Sequence, residues 1–398
     1  MKIFFAFLLI IFLVFSGYHL SFRKFRIPLF AYKFYLTGIE FLFLGLLLGP
    51  QFLNILDANT CDGLAPVSAL LLGWIGMLFG FQFEISKLRR FPRVHFMAGL
   101  LESFLTLVVV FGGIYFTLPF IIKISEHMRI ALSMVLASAA ACTAQTGLAM
   151  FSVRQIGKNQ SIIKILRYLS SVDGLVAMLA MTPVFIFLPC STEIAADRFL
   201  FGYDIFIAGI IFAVFLVLYN LFLTYRREQS ELALIIIGMV IFISGFSSVM
   251  NFSPLLSNFF MGVCLVNLTS EKEKIFTTLV SIEKPVYLLL LVFLGSAWHL
   301  MSVWAFVAAG GYFVFRFIGK MIGGFSISLL GSKMKEYPAG LGLGLIGQSG
   351  LPLAILYDFQ QGHPSEITDI VVGIALISIS YCDLACPTLV GRLLKKGA

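Results

Sequence analysis

The sequence predicts an all-α polytopic membrane protein of about thirteen transmembrane helices. Three observations predict it. Of 398 residues, 60% are hydrophobic and 12% charged, with a mean hydropathy of +0.99; a water-soluble domain cannot hide that much apolar surface. Apolar windows recur along the whole chain, separated by short charged or turn-rich loops. Lysine and arginine crowd into alternate loops, as orientation signals do.

The windows run over approximately 2–19, 34–51, 65–83, 94–119, 129–153, 164–188, 201–224, 231–250, 253–269, 285–300, 302–330, 338–358 and 367–391. If every window spans, one side collects Arg23, Lys24, Arg26 and Lys33, then Lys87, Arg89, Arg90 and Arg93, then Arg154, Lys158, Lys164 and Arg167. The same side takes Arg226, Arg227, Lys272, Lys274, Lys284, Lys333, Lys335, Arg392, Lys395 and Lys396, and the other only Lys2, Lys123, Arg129 and Arg198. This asymmetry puts the C-terminus in the cytoplasm and the N-terminus outside. Met1-Lys2 followed by an apolar run also resembles a signal peptide. It is read as a span because no small-x-small cleavage site follows and an odd count fits an outside N-terminus.

The chain is expected to be a single membrane domain with no soluble regulatory module. Its net charge of +8 is no sign of nucleic-acid binding, because the bases sit in short loops between apolar segments. The six cysteines lack metal-ligand spacing. Cys382 and Cys386, four apart on an apolar helix, read as small buried hydrophobes. Cys61 and Cys190 fall on one predicted side, which leaves a disulfide between them open.

Thirteen spans suggest six plus one plus six: inverted repeats over approximately 1–190 and 231–398, joined by a linker helix at 201–224. The fifth and twelfth spans then correspond, and both carry helix-weakening sequence. Gln145-Thr146-Gly147-Leu148 in the fifth answers Gln348-Ser349-Gly350-Leu351 in the twelfth, where Pro352 follows. Small residues let helices cross closely, and Gly350 and Pro352 weaken the helix and free backbone groups. Irregular backbone at membrane depth survives only inside protein or along a wet cavity. Two crossing, discontinuous helices are therefore expected.

Asp173 stands in the middle of the sixth span, and Arg316 and Lys320 in the eleventh. Charges at that depth are costly and usually mark an ion or proton path. Asp173 lies nine residues beyond Lys164, and Lys320 ten before Leu330. At ~1.5 Å per residue, both sit about 14–15 Å deep in a ~30 Å hydrocarbon core. An Asp173–Lys320 pair is therefore feasible, as an ion-exchanging site or as a structural lock. Arg316 shares a helix face with Lys320 and stays protonated; it is expected to be structural, pairing Glu102 of the fourth span. Asp383, near the cytoplasmic end of its span, is expected to bond a neighbouring helix. Thr143, Gln145, Ser171, Gln348 and Ser349 offer uncharged oxygens for a partly dehydrated cation. There is no phosphate loop, metal-ligand cluster or nucleophile elbow, so neither an enzyme nor an ATP-driven pump is expected.

The motifs resemble, across almost the whole chain, the monovalent cation/proton antiporter superfamily, in its Kef-type and sodium/proton exchanger branch (CPA2). Gly49-Pro50 looks like the end of an early helix. The stretch from Met77 to Arg90 is similar to "LFxxGLExdxxxLrr", and Ser253 to Gly262 to "SPLLGAFLAG". Arg316 to Lys320 matches "RxxGK", and Asp383 to Pro387 the acidic-x-x-x-Pro of the last helix. The resemblance implies a homodimer with a dimerisation domain and a mobile core, an elevator-like cycle, and Asp173 as the carboxylate at which cation and proton compete, with Lys320 as its basic partner. Three positions depart from the family pattern. Val172 replaces the usual polar neighbour of the carboxylate, Ala144 interrupts the usual break in the first crossing helix, and Leu351 stands where an acid often follows the glycine of the second.

The expected function is therefore Na+ or K+ exchange for protons, without a cofactor, in the inner membrane of a bacterium. Asp173 is the expected metal-binding carboxylate, and Thr143, Gln145, Gln348 and Ser171 are the candidate oxygen donors. Two other readings stand beside it: a transport-inactive relative acting as sensor or assembly subunit, and a transporter of small organic anions held by Arg316 and Lys320.

Overall fold

A computed structural model describes residues 2–22, 38–89, 92–144, 159–187, 209, 212–217, 219, 229–298, 303–330, 337–338, 340–348 and 350–396. Among these there is no β-strand. The helices are α1 (Lys2–Phe22), α2 (Ile39–Leu48), α3 (Ala58–Gly63), α4 (Ala65–Gly80), α5 (Ile85–Leu88), α6 (Arg93–Ile121), α7 (Glu126–Ala141), α8 (Asn159–Phe187), α9 (Gln229–Val249), α10 (Pro254–Leu268), α11 (Lys272–Ser296), α12 (Val303–Ile327), α13 (Gly350–Gly362) and α14 (Glu366–Lys396). A 3₁₀ turn, Leu341–Leu345, precedes α13. Most of the expected seventh span, 201–224, lies outside the described residues, although 212–217 is helical. Cys190 also lies outside them.

Five described helices are long and apolar enough to cross a membrane: Arg93–Ile121, Glu231–Val249, Lys272–Ser296, Val303–Ile327 and Glu366–Leu394. Their polarity is inverted relative to a soluble protein. On α6, Phe104, Phe116 and Phe120 are exposed while Glu102, Ser103 and Thr106 are fully buried. On α12, Val303, Trp304, Phe306 and Phe325 are exposed while Arg316 and Lys320 are fully buried. Apolar side chains outward and charges inward suit a hydrocarbon solvent, where polar groups must be satisfied internally. The chain is an integral membrane protein.

Two compact units are each assembled from separated stretches. One comprises Met1–Ile85, Phe185–His299 and Gln361–His363; the other comprises Ser86–Val184, Leu300–Gln360 and Pro364–Ala398. Each takes helices from both expected repeat halves.

In the first unit, glycines set the packing. A Cβ at Gly76 or Gly80 of α4 would strike the backbone of Leu255 or Phe259 on α10, and one at Gly45 of α2 the Val292 carbonyl of α11. The backbones therefore touch, as small-residue stripes allow. Ser253 caps α10, accepting from the Leu256 amide at 2.9 Å, with Pro254 at the first helical position. Asp57 caps α3 through the Thr60 amide at 3.0 Å and pairs with Lys2 at 2.6 Å. Lys2 and Thr60 hold the Asp57 carboxyl down from the ordinary 3.8 to about 2.

One boundary departs clearly from the sequence reading. The tenth span was expected at 285–300, with Lys272, Lys274 and Lys284 in a loop. Instead α11 begins at Lys272 and carries Pro285 in its interior. Ile275, Thr278, Leu279 and Val286 are buried at helical spacing, so an amphipathic stripe extends the helix beyond the purely apolar run.

The second unit contains α6, α7, α12, the 3₁₀ turn, α14 and nearly all of α8 and α13. Ser125 caps α7, accepting from Met128 N at 3.4 Å. The helix stops at Ala141, and Cys142 is extended (φ −60°, ψ 142°). The other interrupted segment runs from the 3₁₀ turn through non-helical residues 346–348 into α13. The two breaks meet, the Ala144 amide donating to the Gly347 carbonyl at 2.8 Å. The second half of the expected fifth span, including Gln145 to Leu148, lies outside the described residues.

Candidate ion-binding site

Close backbone approach brings the charged residues together. On α12, Gly319 faces Thr106 of α6 and Gly323 faces Glu102. A Cβ at Gly319 would stand 3.0 Å from Thr106 Cα, and one at Gly323 2.9 Å from Glu102 Cγ. This Gly-x-x-x-Gly spacing lets a glutamate on one helix reach a lysine on the next. Gly99 of α6 receives Val172 of α8 in the same way, with 2.9 Å from its hypothetical Cβ to Val172 Cβ. One turn on from Gly99, Ser103 meets Asp173. Gly324 lies against Gly342, which brings the second break onto α12.

Asp173, Glu102 and Lys320 form a fully buried triad. Lys320 Nζ is 2.9 Å from Asp173 Oδ2 and 3.1 Å from Glu102 Oε1, and donates to the Ala141 carbonyl at 2.8 Å. An ammonium has three protons and no acceptor, so these three partners use all of them. The other Asp173 oxygen, Oδ1, accepts from Ser103 Oγ at 2.5 Å. Oδ2 also accepts from Thr143 Oγ1 at 2.5 Å. Thr143 Oγ1 lies 3.1 Å from the Leu345 carbonyl as well. With a single proton to give, the threonine favours the carboxylate, because charge-assisted bonds are the stronger. Thr106 Oγ1 donates to Glu102 Oε1 at 3.3 Å.

Arg316, also fully buried, does different work. Nη1 donates to the Ile346 carbonyl at 2.6 Å, and Nη2 to Cys142 at 2.7 Å and Leu345 at 3.3 Å. It therefore clamps the two breaks by their carbonyls. The expected Arg316–Glu102 pair is not formed; Glu102 pairs with Lys320. The reason is register. Glu102 and Thr106 face Gly319 and Gly323 on either side of Lys320, whereas Arg316 sits a turn away, where the freed carbonyls lie.

Broken helices leave orphan backbone groups that need partners. At the C-terminal end of α7, Ala139, Ala141 and Cys142 offer carbonyls to Gln348 Nε2 at 2.8 Å, Lys320 and Arg316. Positive charge belongs at that end of a helix dipole. Just before the N-terminal end of α13, the Gln348 amide donates to Asp383 Oδ1 at 2.9 Å, where negative charge belongs. Opposite dipole ends thus receive opposite charges.

Among the residues expected at the site, Asp173, Lys320 and Thr143 come together. Gln348 reaches the first break through Nε2; its buried Oε1 finds no partner among the described residues. Ser171 does not join them. It donates to the Arg167 carbonyl at 3.2 Å, and residues two apart on a helix do not share a face. Gln145 and Ser349 lie outside the described residues. Sequence reasoning missed Ser103 entirely and gave Glu102 the wrong partner. The available signal was the polar trio Glu102, Ser103 and Thr106, at helical spacing within an apolar span.

The oxygens of Asp173, Glu102 and Ala141 converge on one point at 2.8–3.3 Å, now filled by the ammonium. A monovalent cation prefers such oxygen donors and could compete with Lys320 for the oxygens of Asp173. Among the described residues, no group of three or more His, Cys, Asp or Glu offers a conventional metal cluster.

No protein-family model matches the chain, and no curated protein matches it. Solved structures do. The sodium proton antiporter MjNhaP1 from Methanocaldococcus jannaschii at pH 8 superposes with a TM-score of 0.69 at 17% identity, covering 100% of this chain and 99% of the other. An electron-microscopy structure of the same antiporter gives 0.60 at 16% identity, covering 90% of each. This chain is an integral membrane protein with the all-helical fold seen in MjNhaP1.

Proposed function

We propose that this protein is a secondary transporter that exchanges a monovalent cation, Na+ or K+, for protons, with Asp173 as the carboxylate both compete for. One observation carries the reading: a buried ammonium occupies the point where oxygens from Asp173, Glu102 and the α7 break converge. Likeness of fold to structures described as sodium proton antiporters supports it.

In the cycle, a cation displaces Lys320 from Asp173 and takes its oxygens, with Thr143 as a further donor. On the other side a proton taken up by Asp173 expels the cation, and that proton is released after the return as Lys320 pairs with Asp173 again. The rest of the reading is an elevator-like movement of a core around the two breaks and inverted repeats over 1–190 and 231–398 with a linker at 201–224. It includes a homodimer, an outside N-terminus, a cytoplasmic C-terminus, a bacterial inner membrane, kinship with the Kef-type branch, and no cofactor. Both terminal nitrogens of Arg316 bond carbonyls, which speaks against the organic-anion reading.

Calorimetry on purified protein tests the proposal. Na+ or K+ binding is expected to weaken as pH falls, through proton competition, and to vanish in Asp173→Asn. Binding indifferent to pH, or retained in Asp173→Asn, sinks the assignment.

A further inference from the structure

Lys320 has two carboxylate partners, Asp173 and Glu102. Glu102 contributes both oxygens, Oε1 at 3.1 Å and Oε2 at 3.3 Å, and is itself oriented by Thr106. It is the chain neighbour of Ser103, which holds the opposite oxygen of Asp173. The Glu102 backbone is fixed against Gly323. The acid therefore keeps its position whichever ligand Asp173 carries.

That geometry answers a difficulty in cation binding at Asp173. A cation arriving there evicts a buried ammonium, and a buried charge left without a partner is strongly unfavourable. We propose that Glu102 is a positioning residue that retains the Lys320 ammonium while a cation occupies Asp173. The idea rests on the exchange reading above. Asp173 is then the exchanging carboxylate and Glu102 the resident one. Lys320 shifts its share of contact from Asp173 to Glu102 and the Ala141 carbonyl without leaving the site. Such a hand-over also replaces the missing polar neighbour of Asp173: Val172 packs on Gly99, and the second acid comes from α6 instead of from the adjacent position on α8.

The test is a double-mutant cycle on the Na+ dependence of exchange in proteoliposomes. In Glu102→Gln, the evicted ammonium loses its second carboxylate. The apparent KM for Na+ is expected to rise about tenfold or more, with the maximal rate changed far less. In a Lys320→Gln background there is no ammonium to retain, so Glu102→Gln is expected to leave KM unchanged. A purely structural Glu102 predicts instead a loss of rate with the same KM, in both backgrounds. Should Glu102→Gln fail to accumulate, Glu102→Asp is read in its place. Its shorter reach gives a smaller rise in KM, again only when Lys320 is present. An unchanged KM in Glu102→Gln or Glu102→Asp, or an equal shift in both backgrounds, overturns the hand-over while leaving exchange at Asp173 standing. A wild-type protein that moves no protons overturns both.

Discussion

Replacing Arg316 with lysine keeps the charge and removes the fork, which separates two roles for this side chain. If Arg316 served a carboxylate, lysine would conserve most of the interaction. The structure assigns it instead to the carbonyls of Ile346, Cys142 and Leu345, which lie on two different segments. A lysine ammonium, shorter and not forked, can reach one of those segments but does not bridge both. Two buried carbonyls then lose a donor, at about 1–3 kcal/mol each, giving a destabilisation of about 2–4 kcal/mol with part of the loss relaxed. The assay is thermal unfolding in detergent, followed by fluorescence-detected size exclusion. Arg316→Lys is expected to lower the apparent melting temperature by several degrees, and Arg316→Met by more. The Glu102→Gln change is expected to add to either loss without relieving it. Arg316→Lys melting with the wild type, or Glu102→Gln rescuing Arg316→Met, would refute the carbonyl clamp.

Three further outcomes follow from individual contacts. Thr143→Val removes a charge-assisted bond to Asp173, worth about 1.5–3 kcal/mol; exchange at fixed Na+ is expected to fall about tenfold or more, with Thr143→Ser keeping most of it. A Cβ at Gly342 would meet the Lys320 carbonyl, whereas Gly238 has open space. Gly342→Ala is therefore expected to destabilise by about 1–3 kcal/mol, and Gly238→Ala to be neutral or to stabilise by up to about 1 kcal/mol, both read by thermal unfolding. Asp57 titrates lower when folded, about 2 against 3.8. Its contribution is thus complete above pH 4 and is lost as pH falls through about 2. Unfolding measured from pH 5 to 2 is expected to show this loss in the wild type and a flatter profile in Asp57→Asn.

Much of this was legible in the sequence because lipid imposes simple rules. Hydropathy located most of the described helices within a few residues, and the cost of intramembrane charge singled out Asp173 and Lys320, which pair at 2.9 Å. Small residues and Pro352 marked the segments that break. The misses share a cause. The extension of α11 to Lys272 depends on an amphipathic stripe that an apolar window does not register. The partner of Glu102 depends on rotational register between α6 and α12, set by Gly319 and Gly323. Ser103 became a ligand of Asp173 only because Gly99 lets Val172 in beside it. Such pairings follow from helix–helix geometry, which spacing within one helix does not reveal.

The most direct test of the account is proton movement in proteoliposomes carrying a pH gradient, with Na+, K+ and Li+ added in parallel to wild type and Asp173→Asn. The account predicts that at least Na+ or K+ dissipates the gradient in the wild type, and that none of the three does so in a folded Asp173→Asn protein. A wild type that leaves the gradient intact with all three cations, or an Asp173→Asn protein that exchanges at the wild-type rate, would contradict it.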